Sequence, residues 1–373
     1  MKKVAVICDW LVSYAGAEKV VEAILEIFPS ADIYTTVYKK ENFLGTCFEK
    51  HNVFESFISK LPKADRLYQK YLPLMPLAIE QFDLSSYDLI ISSSHAIAKG
   101  VIASPDQLHI CYCHSPIRYA WDFQNQYLNS SPMGKGLKGK IIKYLLHKIR
   151  LWDVRSANGV DAFVSNSKYI SRRILKCYRR ESTVIYPNVS VNDFDVIDSK
   201  SDYYFTASRL VPYKKIKLIV EAFSKMPDKK LIVIGKGEQD KEIAKVLAPN
   251  VEFLGYQPFN ILKEHLENCR AFVFAAEEDF GILPVEAQAC GTPVIAYNKG
   301  GTAETILHGK TGILFKKQTI ESIIDAVNNF EERGVSYSSY EIKKHAECFS
   351  KDKFILKFKE FIDNEWDKFG KRF

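Results

Sequence analysis

Glu278 and Glu286 stand eight positions apart, with Gly281 and Pro284 between them, in the stretch EEDFGILPVEAQACGTPVIAYNKGG from Glu277 to Gly301. An apolar run, AFVFAA (271–276), precedes the first carboxylate. Proline is tolerated in the first turn of a helix, so the spacing predicts a helix starting near Pro284 and ending at Gly291. Glu286 is then expected in its first turn. A strand, a glycine turn and a helix start leave unpaired N–H groups around Gly281, Ile282 and Leu283, which suits an anion. A carboxylate such as Glu286 binds paired hydroxyls, as in a ribose diol. Arg209, ending an earlier apolar run, and Lys214, five residues on, supply a planar fork and a mobile point charge that together neutralise a diphosphate. Two further residues sit at strand ends. Gly16, in DWLVSYAGAEKVV, lets a backbone N–H approach a phosphate or sugar closely. His114, in HICYCHSPIRYAWD, can present a neutral imidazole to a sugar hydroxyl.

These residues need a scaffold that collects strand ends. Thirteen short apolar runs, beginning at VAVIC (4–8) and ending at TGILF (311–315), alternate with amphipathic helical segments such as AEKVVEAILEIF. That alternation predicts α/β architecture with parallel sheets. The polar segment 188–202 divides the series. The expected domains are therefore 1–190, 201–345 and a helical C-terminal segment, 346–373. Doubly wound sheets bind ligands at the C-terminal ends of their strands.

The Glu278–Gly301 stretch resembles the E-x7-E signature of retaining glycosyltransferases of family 4. Glu278, Phe280, Gly281, Pro284, Glu286, Ala287, Gly291, Pro293 and Val294 fall where that pattern puts them. The resemblance implies a GT-B fold, with two Rossmann-like domains facing across a cleft and C-terminal helices crossing back to the first domain. It implies a retaining transfer of a hexose from a nucleotide-sugar donor. Arg209 and Lys214 would stabilise the departing diphosphate, Glu278 and His114 would hold the sugar, and Glu286 the ribose. Phe280, Gly281, Ile282 and Leu283 would line the donor site. Gly235 and Gly237, after LIVIG, would lie near the ribose and base, with Phe259 flanking the base. HSPIRYAWD and SRLVPYKK look most like bacterial O-antigen or capsule mannosyltransferases that use GDP-mannose, with a UDP-sugar donor as the alternative. Arg118, Tyr119, Trp121 and Asp122 would then line an acceptor site, although a packing role for Trp121 is equally open. Two departures stand out: Ala15 replaces the first of two usual glycines, and Lys215 stands where glycine is common.

Composition sets the remaining bounds. The chain has 373 residues, 47% of them hydrophobic and 26% charged, with a formal charge of +7. That modest basic excess suits an anionic substrate or membrane surface and does not imply nucleic-acid binding. The eight cysteines show no zinc spacing and read as reduced core residues of a cytoplasmic protein. Asp9 interrupts an N-terminal run that otherwise mimics a signal peptide. Asp193-Phe194-Asp195 matches a metal-binding D-x-D, but it lies in a polar segment, so no metal or other cofactor is expected. Arg172 and Arg173 could reach the cleft, but residues on such a basic helix more often face solvent. The basic segment 134–150 places apolar residues at helical spacing, and either packs on the first domain or docks on acidic lipids beside a polyprenyl-linked acceptor. Two other classes compete with the transferase. A two-domain oxidoreductase would need G-x-G-x-x-G in the first turn, which is not intact. A catalytically silent nucleotide-binding protein would tolerate decay of Glu278, Glu286, Arg209 and Lys214, all of which are present.

Overall fold

The computed structural model describes residues 2–129, 136–197, 199–332 and 337–371. The chain divides into two compact units: residues 1–188 with 354–373, and residues 189–353. Each contains one parallel sheet.

Unit 1 orders its strands β3-β2-β1-β4-β5-β6-β7. These are β1 Val4–Cys8, β2 Asp32–Thr35, β3 Val53–Glu55, β4 Leu89–Ser94, β5 Leu108–Cys113, β6 Ala162–Ser165 and β7 Thr183–Val184. β1, β4 and β5 are buried at every position, β1 as an unbroken apolar run and β4 and β5 with Ser92, Ser93, Ser94 and His109 buried among their apolar residues. The helix Gly16–Ile27 packs Val20, Val21, Ile24 and Leu25 against Val4, Val6 and Cys8. The C-terminal helix Lys351–Gly370 places Phe354, Phe358, Ile362 and Phe369 in the same cluster, with Phe354 and Phe358 edge-on to Tyr112.

Unit 2 orders its strands β10-β9-β8-β11-β12-β13. These are β8 Tyr204–Ala207, β9 Leu231–Ile234, β10 Val251–Gly255, β11 Ala271–Phe274, β12 Val294–Tyr297 and β13 Gly312–Phe315. The segment after Asn188 is less polar in its packing than in its composition. Val189, Val191 and Phe194 are buried in unit 2, and the Val189 N–H bonds to the Phe349 carbonyl.

Both sheets follow the 3-2-1-4-5-6 order, so strand order reverses between the first and fourth strands of each. At that reversal, neighbouring helices leave on opposite faces and the strand ends open a crevice. The reversals fall between β1 and β4 and between β8 and β11.

Candidate functional site

In unit 2 the two cations and the first carboxylate flank the β8/β11 reversal. Arg209 lies two residues past β8 and Glu278 four past β11. Lys214 ends a 3-10 turn, Pro212–Lys214, and its Nζ donates to Glu278 Oε1 at 2.5 Å with both side chains mostly buried. Arg209 is exposed and donates from Nη2 to the Tyr213 hydroxyl at 3.0 Å. Lys215 follows in the left-handed region, at φ +60°. That conformation costs an L-residue about 1 kcal/mol or more and costs glycine nothing, which explains why a glycine suits this position.

The helix beside Glu278 runs Ile282–Ala289, two residues earlier than the expected start. Gly281, at φ +87°, takes the cap position, so Pro284 is the third helical residue and still lacks only an N–H that would be orphaned anyway. Glu286 therefore lies in the second turn rather than the first, where it is 7% exposed. Ile282 and Leu283 then carry the N–H groups at the helix start. Phe280 is buried against Phe349, with ring centroids 5.7 Å apart.

Two glycine pairs press this site together. A Cβ on Gly300 would lie 2.2 Å from the Glu278 carbonyl oxygen, and one on Gly301 2.1 Å from that of Phe280. The Gly301 N–H also bonds to the Glu278 carbonyl at 2.9 Å. Across the sheet, a Cβ on Gly235 would lie 2.0 Å from the Ser208 oxygen and one on Gly237 2.4 Å from that of Leu210. Gly235 and Gly237 therefore abut the backbone on either side of Arg209. In the sequence, Gly300 and Gly301 are marked only as two adjacent glycines after a strand. Phe259 opens the helix Phe259–Asn268, half exposed, with its ring 5.9 Å from Phe194.

Unit 1 builds a second polar centre at its own reversal. Asp9, just past β1, is buried and accepts four N–H bonds of 2.6–3.0 Å from His95, Ala96, Ile97 and Ala98, just past β4. Its Oδ2 also lies 2.9 Å from His95 Nδ1. Burial pushes the Asp9 carboxyl up, but the His95 ring and the N–H donors outweigh it and hold the group down at about 2. In the sequence, Asp9 shows only as a break in an apolar run. His114, past β5, is half-buried and hydrogen-bonded to Ser93 Oγ through Nε2 at 2.8 Å. Burial, reinforced by His95, pushes its imidazole down to about 3, so it is neutral at physiological pH. Ala15 adopts φ −143°, an ordinary extended angle, and Gly16 begins the next helix. The Glu18 carboxylate accepts the Ala15 N–H at 2.9 Å.

The residues after His114 are held by side chains from the rest of unit 1. Arg173 is buried, contrary to the expected solvent face. It donates to both Asp122 oxygens and to Ser115 Oγ. A guanidinium with three such acceptors is better satisfied inside than in water. The Trp121 indole donates to Asp153 Oδ2 at 2.7 Å, so packing and hydrogen bonding fix this ring. Asp153 is itself fully buried, paired with buried Lys99 and bonded by the Tyr178 hydroxyl. Arg118 lies over the Phe123 ring, and Tyr119 sits edge-on to Tyr127. Ser167 caps the helix Lys168–Tyr178, its Oγ accepting the Ile170 N–H at 3.1 Å. Five cysteines are buried, but Cys348 is exposed and does not belong to the core. Asp195 of the D-x-D pairs with Lys263 at 3.1 Å. No helix among the described residues is long and apolar enough to cross a membrane.

Comparison with known proteins bears on both units. Residues 192–347 match the family Glycosyl transferases group 1. That stretch contains Arg209, Lys214, Glu278 and Glu286. The chain is 29% identical over 184 residues to an uncharacterized glycosyltransferase of Methanocaldococcus jannaschii, covering 46% of this chain and 51% of that protein. It is 31% identical over 131 residues to a GDP-mannose-dependent monoacylated alpha-(1-6)-phosphatidylinositol monomannoside mannosyltransferase of Corynebacterium glutamicum, covering 31% and 34% respectively. The chain thus spans about half and about a third of these two relatives. The crystal structure of HepE from Anabaena in complex with UDP superposes with a TM-score of 0.69 at 19% identity, covering 97% of this chain and 100% of that one. The chain has the GT-B fold.

Proposed function

We propose that this protein is a retaining, metal-independent glycosyltransferase that moves a hexose from a nucleoside-diphosphate donor to a hydroxyl of a saccharide or lipid-linked acceptor. The observation that carries this reading is the Lys214–Glu278 pair spanning the β8/β11 reversal, beside Arg209 and the Ile282 helix start. Without donor, cation and carboxylate satisfy each other. With donor, Lys214 and Arg209 turn to the diphosphate and Glu278 to the sugar hydroxyls. The bond between the anomeric carbon and the phosphate oxygen breaks, and its electron pair stays on the diphosphate. The cations and the N–H groups of Ile282 and Leu283 stabilise that charge as it develops. The acceptor oxygen attacks the anomeric carbon from the same face and passes its proton to the leaving phosphate. Glu286 holds the ribose. Neutral His114 of unit 1 suits a sugar hydroxyl.

GDP-mannose is the donor this reading favours, supported by the Corynebacterium relative's dependence on it. A UDP-sugar is the second reading, supported by the UDP complex of the Anabaena neighbour. The test is nucleotide release from GDP-mannose and UDP-glucose, with and without chelator. We expect GDP release that chelator leaves intact and Lys214→Ala reduces about 100-fold, the scale of losing one transition-state electrostatic contact. Tight NAD binding without GDP or UDP binding would instead support an oxidoreductase. Nucleotide binding with no release from any donor would support a silent binding protein. Loss on chelation restored by manganese would revive the D-x-D.

A further inference from the structure

The helix Gly136–Ser156 has two apolar faces, where a surface helix ordinarily has one. At 3.6 residues per turn, Gly139, Leu146, Ile149 and Asp153 fall on one side, and all four are buried. Leu146 and Ile149 pack there with Ile117 and Ala120. Leu137, Ile141, Tyr144 and Leu151 fall on the opposite side and are 74%, 52%, 59% and 55% exposed. They form a stripe about 21 Å long at 1.5 Å per residue. Scattered exposed leucines are normal; four large apolar side chains aligned on one helix face are not.

The charge on this face is one-sided. Lys148 and Arg155 lie within the stripe, and Lys138 and Lys140 stand beside it, all exposed. The helix has one acidic residue, Asp153, which is buried against Lys99. Lys148 Nζ lies 5.5 Å from the Tyr144 ring centroid, so its stem already runs along apolar surface. Protein–protein interface cores are depleted in lysine. Membrane-surface helices use it, with aliphatic stems in the apolar layer and ammonium groups at the phosphates.

We propose that the exposed face of this helix docks on an anionic lipid surface, with Leu137, Ile141, Tyr144 and Leu151 in the headgroup–acyl boundary and the lysines on lipid phosphates. The buried face anchors the helix in unit 1, so both sequence-based alternatives hold at once on opposite sides. The inference does not depend on the donor chemistry of unit 2.

The test is co-sedimentation of the full chain with phosphatidylcholine vesicles, alone or with phosphatidylglycerol at roughly one lipid in three, at low and high salt. We expect binding about tenfold tighter to the anionic vesicles, with the difference falling as salt screens it. The pairs Ile141→Ser/Leu151→Ser and Lys140→Glu/Lys148→Glu should each weaken that binding about tenfold or more. All four positions are exposed, so the melting temperature should be unchanged. Equal binding to both vesicle types, or variants that bind like the wild type, would overturn the proposal. So would a concentration-dependent dimer that the apolar pair of substitutions dissolves, since the face would then belong to a second copy. Lys214→Ala should bind vesicles normally, which separates failure here from failure of the donor-site reading.

Discussion

Glu278 and Lys214 set the chemistry at the residue scale because each neutralises the other until a ligand divides them. Removing the carboxylate's charge frees the lysine for the diphosphate. Glu278→Gln should therefore bind nucleoside diphosphate as tightly as the wild type or tighter, while sugar transfer falls about 100-fold or more. Calorimetric titration beside a transfer assay checks this; weaker nucleotide binding would contradict it. Glu286→Ala should weaken nucleotide binding about tenfold, the scale of one charge-assisted hydrogen bond, and unchanged affinity would remove its ribose role. The residue types at these positions were legible in the sequence, since Arg209, Lys214, Glu278 and Glu286 follow strand ends that apolar runs mark plainly. Asp9 was not. Its partners are backbone N–H groups 86 to 89 positions away, and no spacing reports a bond of that reach.

At the scale of elements, the site depends on backbones that touch. Gly300→Ala and Gly301→Ala each force a methyl group into the carbonyl of Glu278 or Phe280. Each should cost about 1–3 kcal/mol of stability, the range for overpacked cores, and should lower donor turnover by displacing Glu278. A chemical-denaturation midpoint unchanged from wild type would contradict the contact. Gly281 differs: its Cβ has room, and only its φ of +87° resists substitution. Helix existence was readable from Pro284 and Gly291. The start was misplaced because proline is acceptable anywhere in the first turn, and only the conformation of Gly281 fixes the register. Arg173 escaped for a related reason. Its helix is basic and looks solvated, yet Asp122 and Ser115 arrive from a loop more than 50 positions earlier.

Across the whole molecule, one plan occurs twice without a visible sequence repeat. Each sheet reverses strand order once, and each reversal brings an acid against a base: Asp9 with His95, Glu278 with Lys214. Parallel sheets were legible because short, mostly apolar runs alternate with amphipathic helical segments along the chain. The order of strands within each sheet was not, because helical crossovers leave no mark of which neighbour a strand joins. Unit 1 also stores its stability in groups that acid disturbs. Burial pushes His109 down to about 4 and His114 to about 3, both below the ordinary 6.5. As pH falls from 6.5, the unfolded chain takes up protons that the folded chain refuses, so stability is lost through pH 4 and below. His109 alone accounts for about 3 kcal/mol across that window. Asp9 extends the loss between pH 3.8 and about 2. Thermal unfolding followed from pH 7 to pH 4 should show a falling midpoint, and His109→Gln should flatten it.

The pyrophosphate cradle is tested most directly by titration calorimetry of GDP and UDP against their monophosphates, in the wild type and in the double variant Arg209→Ala/Lys214→Ala. The diphosphates should bind at least about tenfold tighter than the monophosphates to the wild type, and that advantage should vanish in the variant. Equal affinity for mono- and diphosphates, or an advantage that survives loss of both cations, would contradict it.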